Sequence, residues 1–304
     1  MCAIIAAVVF DAPGPNARLR SAVAIHDYGH VVAFGLVTAL VAFALSAREH
    51  PTFRCGVGMT CLAAGAALAL GAAVEIAQAV SGRHGDIWDV VRDGAGACAA
   101  ALALIALNTA IAGRARLALA GAAILVLAAF AYPTAAALED EARARAQFPV
   151  LASFETTREL SRFHFGAGIH PRIVLISDDG GQPVSAMQLR LPPGKYPGFE
   201  LDYFPGNWLG MRALQLLIVN PESTPIDLGV RIDDHEYRLE AYDRYNRSFL
   251  LSPGANRIEI PLSDVAAAPR GRRLDLGRIH VLLVYAVDLE QSRSIIVGPI
   301  TLLR

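Results

Sequence analysis

Apolar residues run almost without interruption from Met1 to Tyr132, and a few polar breaks cut that half of the chain into segments. Roughly 20 consecutive apolar residues reach across a bilayer core, so the pattern predicts about five membrane helices. Met1–Phe10 is apolar but too short to span alone. It lacks the basic start and cleavage site of a secretory signal and reads as the remainder of a first helix. Pro13, Gly14 and Pro15 break the chain after it. The second helix is predicted over Ala24–Leu45, the third over Cys55–Val80, the fourth over Ile87–Leu107 and the fifth over Leu117–Tyr132, where Pro133 stops it.

Beyond Leu138 the pattern changes. LEDEARARAQFP (Leu138–Pro149) sets acids ahead of arginines at helical spacing and predicts a charged helical stalk. From Val150 onward come short β-type runs: RIVLIS, SAMQLRLP, GFELDYF, ALQLLIVN, DLGVRID, RSFLLSP, NRIEIPL, IHVLLVYAV and SIIVGPITLL. Turn sequences such as DDGG, PPGKYPG, NPESTP and SPGAN separate them. Arg257-Ile258-Glu259-Ile260 alternates as a half-buried strand does, and Leu214–Val219 suits a buried one. So many short strands predict an antiparallel sandwich. The expected fold class is multidomain: an α-helical transmembrane bundle (1–133), the stalk (134–149) and an all-β sandwich of jelly-roll type (150–304).

The chain has 304 residues, 54% of them hydrophobic, and a formal net charge of −1. Its mean hydropathy of +0.40 averages two unlike halves. No basic stripe stands out, which argues against a nucleic-acid partner. Cys2, Cys55, Cys61 and Cys98 all lie in the apolar half, so the sandwich must be held by its core rather than by disulfides. Phosphate-binding glycine loops, zincin motifs and nucleophile elbows are absent from the sequence. Arg48 and Arg54 flank one loop and Arg114 and Arg116 another; the positive-inside rule makes that side cytoplasmic. By parity the end of the fifth helix and the whole sandwich then lie outside the cytoplasm, in a multi-pass membrane protein.

Candidate chemistry concentrates in a polar knot, EIAQAVSGRHGDIWDVVRDGAG (Glu75–Gly96), between two apolar helices. Charge at a membrane is costly unless paired or hydrated. Glu75 and Gln78 end one helix; Arg83 and His84 sit in the turn; Asp86, Asp89 and Asp93 follow helical spacing on the next, with Arg92 among them. His26, Asp27 and His30 open the second helix at the same membrane face, the two histidines one turn apart. Three carboxylates on one stripe need counter-charges. Four readings stay open: an ionic tie between helices, an outward pocket for a polar headgroup such as a lipid-linked envelope precursor, acid–base catalysis with Glu75 or Asp89 as base and His30 as acid, or a hard cation, though no metal-ligand spacing demands one.

With those residues in view, Ile25–Leu107 resembles the VanZ-like membrane proteins. The matching residues are His30 with Phe34 and Gly35; Glu75 with Gln78; and Arg83, Asp89, Asp93 and Gly96. His26 and Asp27 stand where that family usually has Asp and Lys, and Asp93 where it has Asn. The resemblance implies a cell-envelope membrane protein, here one of the bacterial inner membrane; the family takes its name from a glycopeptide-resistance context, and no settled reaction comes with it.

The C-terminal half resembles the galactose-binding-like jelly rolls of carbohydrate-binding modules, on YPGFELDYFPGNWLGMRALQLLIVNPESTPIDLGVRIDD, YDRYNRSFLLSPGANRIEIPL and LDLGRIHVLLVYAV. That resemblance implies sugar binding through exposed aromatics with Asp, Asn and Arg. Trp208, Tyr242, Tyr245, Asp243, Arg244 and Asn246 are the candidate ligand face, with a core position the alternative for Trp208. No cofactor is expected, beyond a structural calcium for which Asp233 and Asp234 are the candidates and a simple turn the alternative. The expected partners are the lipid bilayer, an envelope glycan or lipid-linked precursor, and an envelope protein. An enzyme acting on a lipid-linked sugar, through Glu75, Asp89, Arg83 and His30, is the competing function; a purely structural subunit is the third.

Overall fold

The computed structural model describes residues 20–47, 56–81, 86–177, 181–238 and 240–304. The chain divides into two compact units, Met1–Glu139 and Asp140–Arg304. The first ten residues, and with them the expected first helix, lie outside the described residues, as do Arg83 and His84.

In the first unit the described helices are α1 (Arg20–Ala47), α2 (Val57–Val80), α3 (Ile87–Ala106) and α4 (Gly113–Gln147), the last continuing into the second unit. Among the described residues, α1, α2 and α4 are long and apolar enough to cross a membrane. Their arrangement inverts the usual soluble pattern. Large apolar side chains such as Val32, Leu36, Leu40 and Phe43 on α1, and Leu62 and Leu70 on α2, are exposed, while alanines and glycines fill the contacts between helices. Ala33, Phe34, Ala67 and Ala97 form one small core cluster, and Ala42 and Ala63 another. At Gly96 the backbones of α1 and α3 come so close that a Cβ would run into the Val31 carbonyl. Small residues permit this approach, and close approach is what holds helices together when lipid is the solvent.

The sequence predicts a helix end at Pro133 followed by a separate stalk; instead α4 runs unbroken through Pro133 to Gln147. An interior proline removes one backbone donor and crowds the preceding turn. Helix formers on both sides (Ala128–Ala131, then Ala135–Leu138) carry the helix across it. One residue later, the Thr134 hydroxyl donates to the Ala24 carbonyl at 2.8 Å, tying this part of α4 to the start of α1. The acid-before-arginine spacing yields the expected ion pair, Glu141 to Arg145 at 3.7 Å.

The second unit is an antiparallel sandwich. Its strands are β1 (Val150–Ala152), β2 (Phe163–Phe165), β3 (Arg172–Ser177), β4 (Pro183–Leu191), β5 (Gly198–Leu201), β6 (Ala213–Asn220), β7 (Ile226–Asp234), β8 (Tyr245–Leu251), β9 (Gly254–Pro261), β10 (Ile279–Ala286) and β11 (Arg293–Leu303), with a short helix α5 (Leu262–Ala267) after β9. One sheet runs β3-β4-β11-β6-β9, with β1 also on β11; the other runs β2-β5-β10-β7-β8. Because β6 through β11 pass repeatedly between the sheets, the alternate residues of each strand meet in one core. Leu189, Leu214, Ile218, Ile260 and Val297 from one sheet face Phe199, Leu201, Val230, Ile232 and Leu282 from the other. Burial alternates along β9 as its sequence predicts, with Ile258 and Ile260 buried and Glu259 exposed.

A buried ionic knot closes the start of this unit. Arg162 Nε lies 3.0 Å from Asp140 Oδ2 and Nη2 3.0 Å from Oδ1, while Nη1 donates to the Leu151 carbonyl at 3.2 Å. Beside it, Glu159 accepts from the backbone of Ser153 and Phe154, at 2.7 and 3.0 Å.

Candidate functional site

The polar ends of α1, α2 and α3 converge in the first unit. Because α1 starts where α2 ends and α3 begins, residues far apart in sequence share one end of the bundle. His30 Nδ1 meets Asp93 Oδ1 at 2.9 Å, both side chains being buried, and His30 Nε2 lies 3.8 Å from Asp89 Oδ2. Arg92 reaches three acids on two helices: Asp89 at 2.5 Å, Asp27 at 2.9 Å and Asp86 at 3.6 Å. Asp86 caps α3 by accepting from the Trp88 amide at 2.9 Å, and its own amide donates to Glu75 Oε2 at 2.8 Å. The His26 ring stands edge-on to His30 at 5.3 Å, and its Nε2 is buried without a hydrogen-bond partner among the described residues. Gln78 is half-buried one turn beyond Glu75.

His26, Asp27, His30, Glu75, Asp86, Asp89 and Asp93 are thus brought together. The residue at the hub is Arg92, which the sequence offers only as one counter-charge among several. Its position three residues after Asp89 is the available signal, since that spacing makes the two neighbours on α3; Asp86 precedes the helix as its cap. Gly71 also matters: a Cβ there would collide with the Asp93 carboxylate, so α2 can pass Asp93 only because residue 71 has no side chain.

The sandwich carries a different surface. On the outward face of the five-stranded sheet, the Tyr285 ring lies over Gly229, where a Cβ would strike the ring itself. Its hydroxyl donates to Asn246 Oδ1 at 2.8 Å. Tyr196, exposed, stands edge-on to Tyr285 with centroids 5.6 Å apart, and Lys195 lies 5.5 Å from the Tyr196 ring. Nearby, Arg231 and Arg244 approach the Tyr237 ring at 4.9 and 5.7 Å, and Arg244 Nη1 donates to the Tyr237 hydroxyl at 2.9 Å. Tyr285, Tyr196 and Gly229 were not among the sequence candidates. Alternation along β10 puts Tyr285 on the outward face, but only strand pairing sets it beside Gly229 and Asn246.

The sequence candidates on this unit separate. Tyr242 is exposed, Arg244 half-buried and Asn246 exposed. Trp208 is not on a surface: it is 0% exposed in the core, tilted against Phe204 at 5.7 Å, with its indole N–H donating to the Pro205 carbonyl at 3.1 Å. Asp243 is also buried and serves as scaffold. It takes Arg272 Nε at 2.5 Å and the Arg238 amide at 2.9 Å, and the Arg272 bond holds its carboxyl below the ordinary carboxylate range.

Asp233 and Asp234 do not converge as the expected calcium pair. Successive strand residues face opposite sides, and each carboxylate is gripped by its own guanidinium. Asp233 pairs bidentately with Arg231, and Asp234 takes Arg272 at 2.6 and 2.9 Å together with the Asp275 amide at 2.7 Å. Burial lifts the Asp233 carboxyl above its ordinary value despite Arg231. At Asp234 burial acts upward too, but the Arg272 and Asp275 hydrogen bonds outweigh it and the carboxyl is held low.

No family model matches the chain, and no curated protein matches it. The VanZ-like resemblance of the helices therefore rests on the quoted residues alone. Among solved structures the chain is similar to an exo-beta-agarase, at 16% identity and a TM-score of 0.42 over 50% of this chain and 24% of that one. It is similar also to a family 11 carbohydrate-binding module from Clostridium thermocellum in complex with a beta-1,3-1,4-mixed-linked tetrasaccharide, at 17% identity and a TM-score of 0.37 over 51% of this chain and 94% of that one. A third is a family 30 carbohydrate-binding module of a cellulosomal cellulase of Clostridium thermocellum, at 13% identity and a TM-score of 0.32 over 46% of this chain and 88% of that one. This chain thus spans about a quarter of the agarase's length. At such scores function has to be argued from the residues themselves.

Proposed function

We propose that this chain is a multi-pass protein of the bacterial inner membrane, VanZ-like in its helices, whose C-terminal sandwich lies outside the cytoplasm and binds an envelope glycan or glycolipid. The observation that carries the reading is the Tyr285 ring laid against the sheet over Gly229, with exposed Tyr196 edge-on beside it and Asn246 at its hydroxyl. A sugar offers an apolar C–H face and a rim of hydroxyls. A flat aromatic with amide and charged groups at its edge answers both.

Membrane insertion is supported by three apolar helices whose large side chains face outward. In this reading α3 crosses as well, since its charges, Asp89, Arg92 and Asp93, all sit in its first two turns beside the other polar helix ends. Arg114 and Arg116 mark the cytoplasmic end of α4. The cluster around Arg92 ties the helices at the opposite end, so most of its groups are spoken for. Glu75 is engaged by the Asp86 amide and His30 by Asp93, which favours a structural tie over membrane-embedded transfer or hydrolysis.

Full-length protein in detergent, titrated with envelope-type oligosaccharides, tests the reading. Binding is expected, with Tyr196→Ala and Tyr285→Ala each lowering affinity about tenfold, as loss of a central aromatic anchor does. Absence of binding to every glycan offered would end it. For topology, a fluorescent reporter fused after Arg304 is expected to stay dark; fluorescence from the cytosolic side would reverse the orientation.

A further inference from the structure

At the edge of the five-stranded sheet, the β7–β8 connection, the start of β8 and the segment after α5 form a groove of about 570 Å³, lined by Tyr242, Arg244, Tyr245, Arg247, Asp264 and Arg270 among others. The Arg270 amide donates to the Tyr242 carbonyl at 2.9 Å and so joins the two rims. Asn246 lines the groove too and accepts from Tyr285 on the outward face of the sheet, whereas Tyr245 and Arg247, its neighbours on β8, pair with core residues Ile232 and Val230 and so stand on the other side.

The charge here is unbalanced in a way that differs from its surroundings. Arg162, Arg231, Arg272 and Arg293 each face a carboxylate, respectively Asp140, Asp233, Asp234 with Asp243, and Glu222. Arg244, Arg247 and Arg270 line one groove and, among the described residues, none of them has a carboxylate partner. Asp264 is the single acid in the lining.

Two further atoms belong to the same residues. Arg244 Nε and the Tyr245 hydroxyl are buried and lack a hydrogen-bond partner among the described residues. Burial raises the Tyr245 hydroxyl above its ordinary range, against the charge and the hydrogen bonding of Arg247, so it stays protonated and its hydrogen is free to be donated. Buried polar atoms seldom remain unmet. Arg244 Nε can only donate, the Tyr245 hydroxyl can donate as well as accept, and both sit among guanidinium groups, so an acceptor carrying negative charge is the partner that suits them.

We propose that this groove binds the acidic substituent of an anionic glycan, a uronate carboxylate or a sulfate ester, with Arg244, Arg247 and Arg270 around the charge and exposed Tyr242 against the sugar ring. The inference rests on the glycan-binding reading and narrows it to a substrate class.

The test uses the full-length protein in detergent with three probes of like length: an oligogalacturonate, a sulfated galactan oligosaccharide and a neutral galactan oligosaccharide. At low salt at least one acidic probe is expected to bind about tenfold more tightly than the neutral one, as charge-assisted contacts require. Which acidic probe binds tells carboxylate from sulfate. The doubly substituted Arg247→Gln/Arg270→Gln protein is expected to lose that advantage while keeping its neutral-probe affinity. Arg190→Gln, on the outward side of the other sheet, should change neither. Equal affinity for neutral and acidic probes, abolished by Tyr285→Ala, overturns the groove assignment and leaves glycan binding standing. An acidic preference that falls as much in Arg190→Gln as in the groove variant also overturns it. Failure of all three probes removes both readings.

Discussion

The ring of Tyr285 occupies the space that any side chain at Gly229 would need. Strand pairing sets Tyr285 directly opposite Gly229 in the β7–β10 ladder, so glycine on one strand gives the tyrosine on its neighbour a flat bed. Gly229→Ala should lift the ring from the sheet. The expected result is about tenfold weaker glycan binding, together with a stability loss of about 1–3 kcal/mol from overpacking. Adding Tyr285→Ala should recover the stability and not the binding. A single Gly229→Ala variant that binds as well as the parent would show that the ring's position is irrelevant.

The Arg162–Asp140 pair is deeply buried, with side-chain exposures of 1% and 5%. Truncating one partner leaves an uncompensated charge, which costs about 3–5 kcal/mol. Asp140→Ala is therefore expected to lower the melting temperature of the sandwich by several degrees, read from the fluorescence of core Trp208. A shift indistinguishable from zero would mean that the guanidinium finds other partners.

In the helical unit His30 and Asp93 bridge α1 and α3, 63 residues apart in sequence. Hydrogen bonds between membrane helices contribute about 1–2 kcal/mol or less. His30→Ala and Asp93→Ala should each lower thermal stability in detergent by about that much, and the double variant by little more than either one. Strictly additive losses would show that the two side chains do not act as a pair. Arg92→Leu should cost more than either, because it strands Asp27 and Asp89 together.

Acid should unpick the Arg272 cluster. Folding holds the Asp234 and Asp243 carboxyls below the ordinary carboxylate range. Their contribution is therefore complete above that range, near pH 4, and is lost below it, as the pH falls through their lower folded-state values and both groups take up protons. Asp233 acts in the opposite sense, since burial raises its carboxyl and protonation favours the folded form. Comparison with Arg272→Gln isolates the first effect. The variant is expected to be less stable at pH 7 by about 3–5 kcal/mol, and its deficit should shrink as the pH drops below 4. A deficit constant from pH 7 to pH 3 would rule out the ionic explanation.

Periodicity makes the two-part architecture readable from the sequence, because burial of a strand or a helix face is a local demand on local residues. The runs RIVLIS and ALQLLIVN are strands β3 and β6 to the residue. β1 and β2 escaped notice because three residues are too few to establish alternation. Local rules also misplaced the end of α4: Pro133 weakens a helix, but its helix-forming neighbours outvote it.

The sites were legible as inventory and not as geometry. Spacing alone assembled the acids of α3, and the shared helix ends brought His30 and Glu75 to them. The choice of Arg92 as hub came from α1 and α3 approaching at Gly96, a contact between segments that sequence periodicity does not connect. Trp208 lies in a stretch without regular period, so nothing local says whether it faces solvent or core. Asp243 looked like a ligand group until Arg272, from beyond β9, proved to occupy it. The tyrosine platform depends on register between strands far apart in the chain. Local periodicity decides which residues turn inward; long-range pairing alone decides which of the outward ones become neighbours.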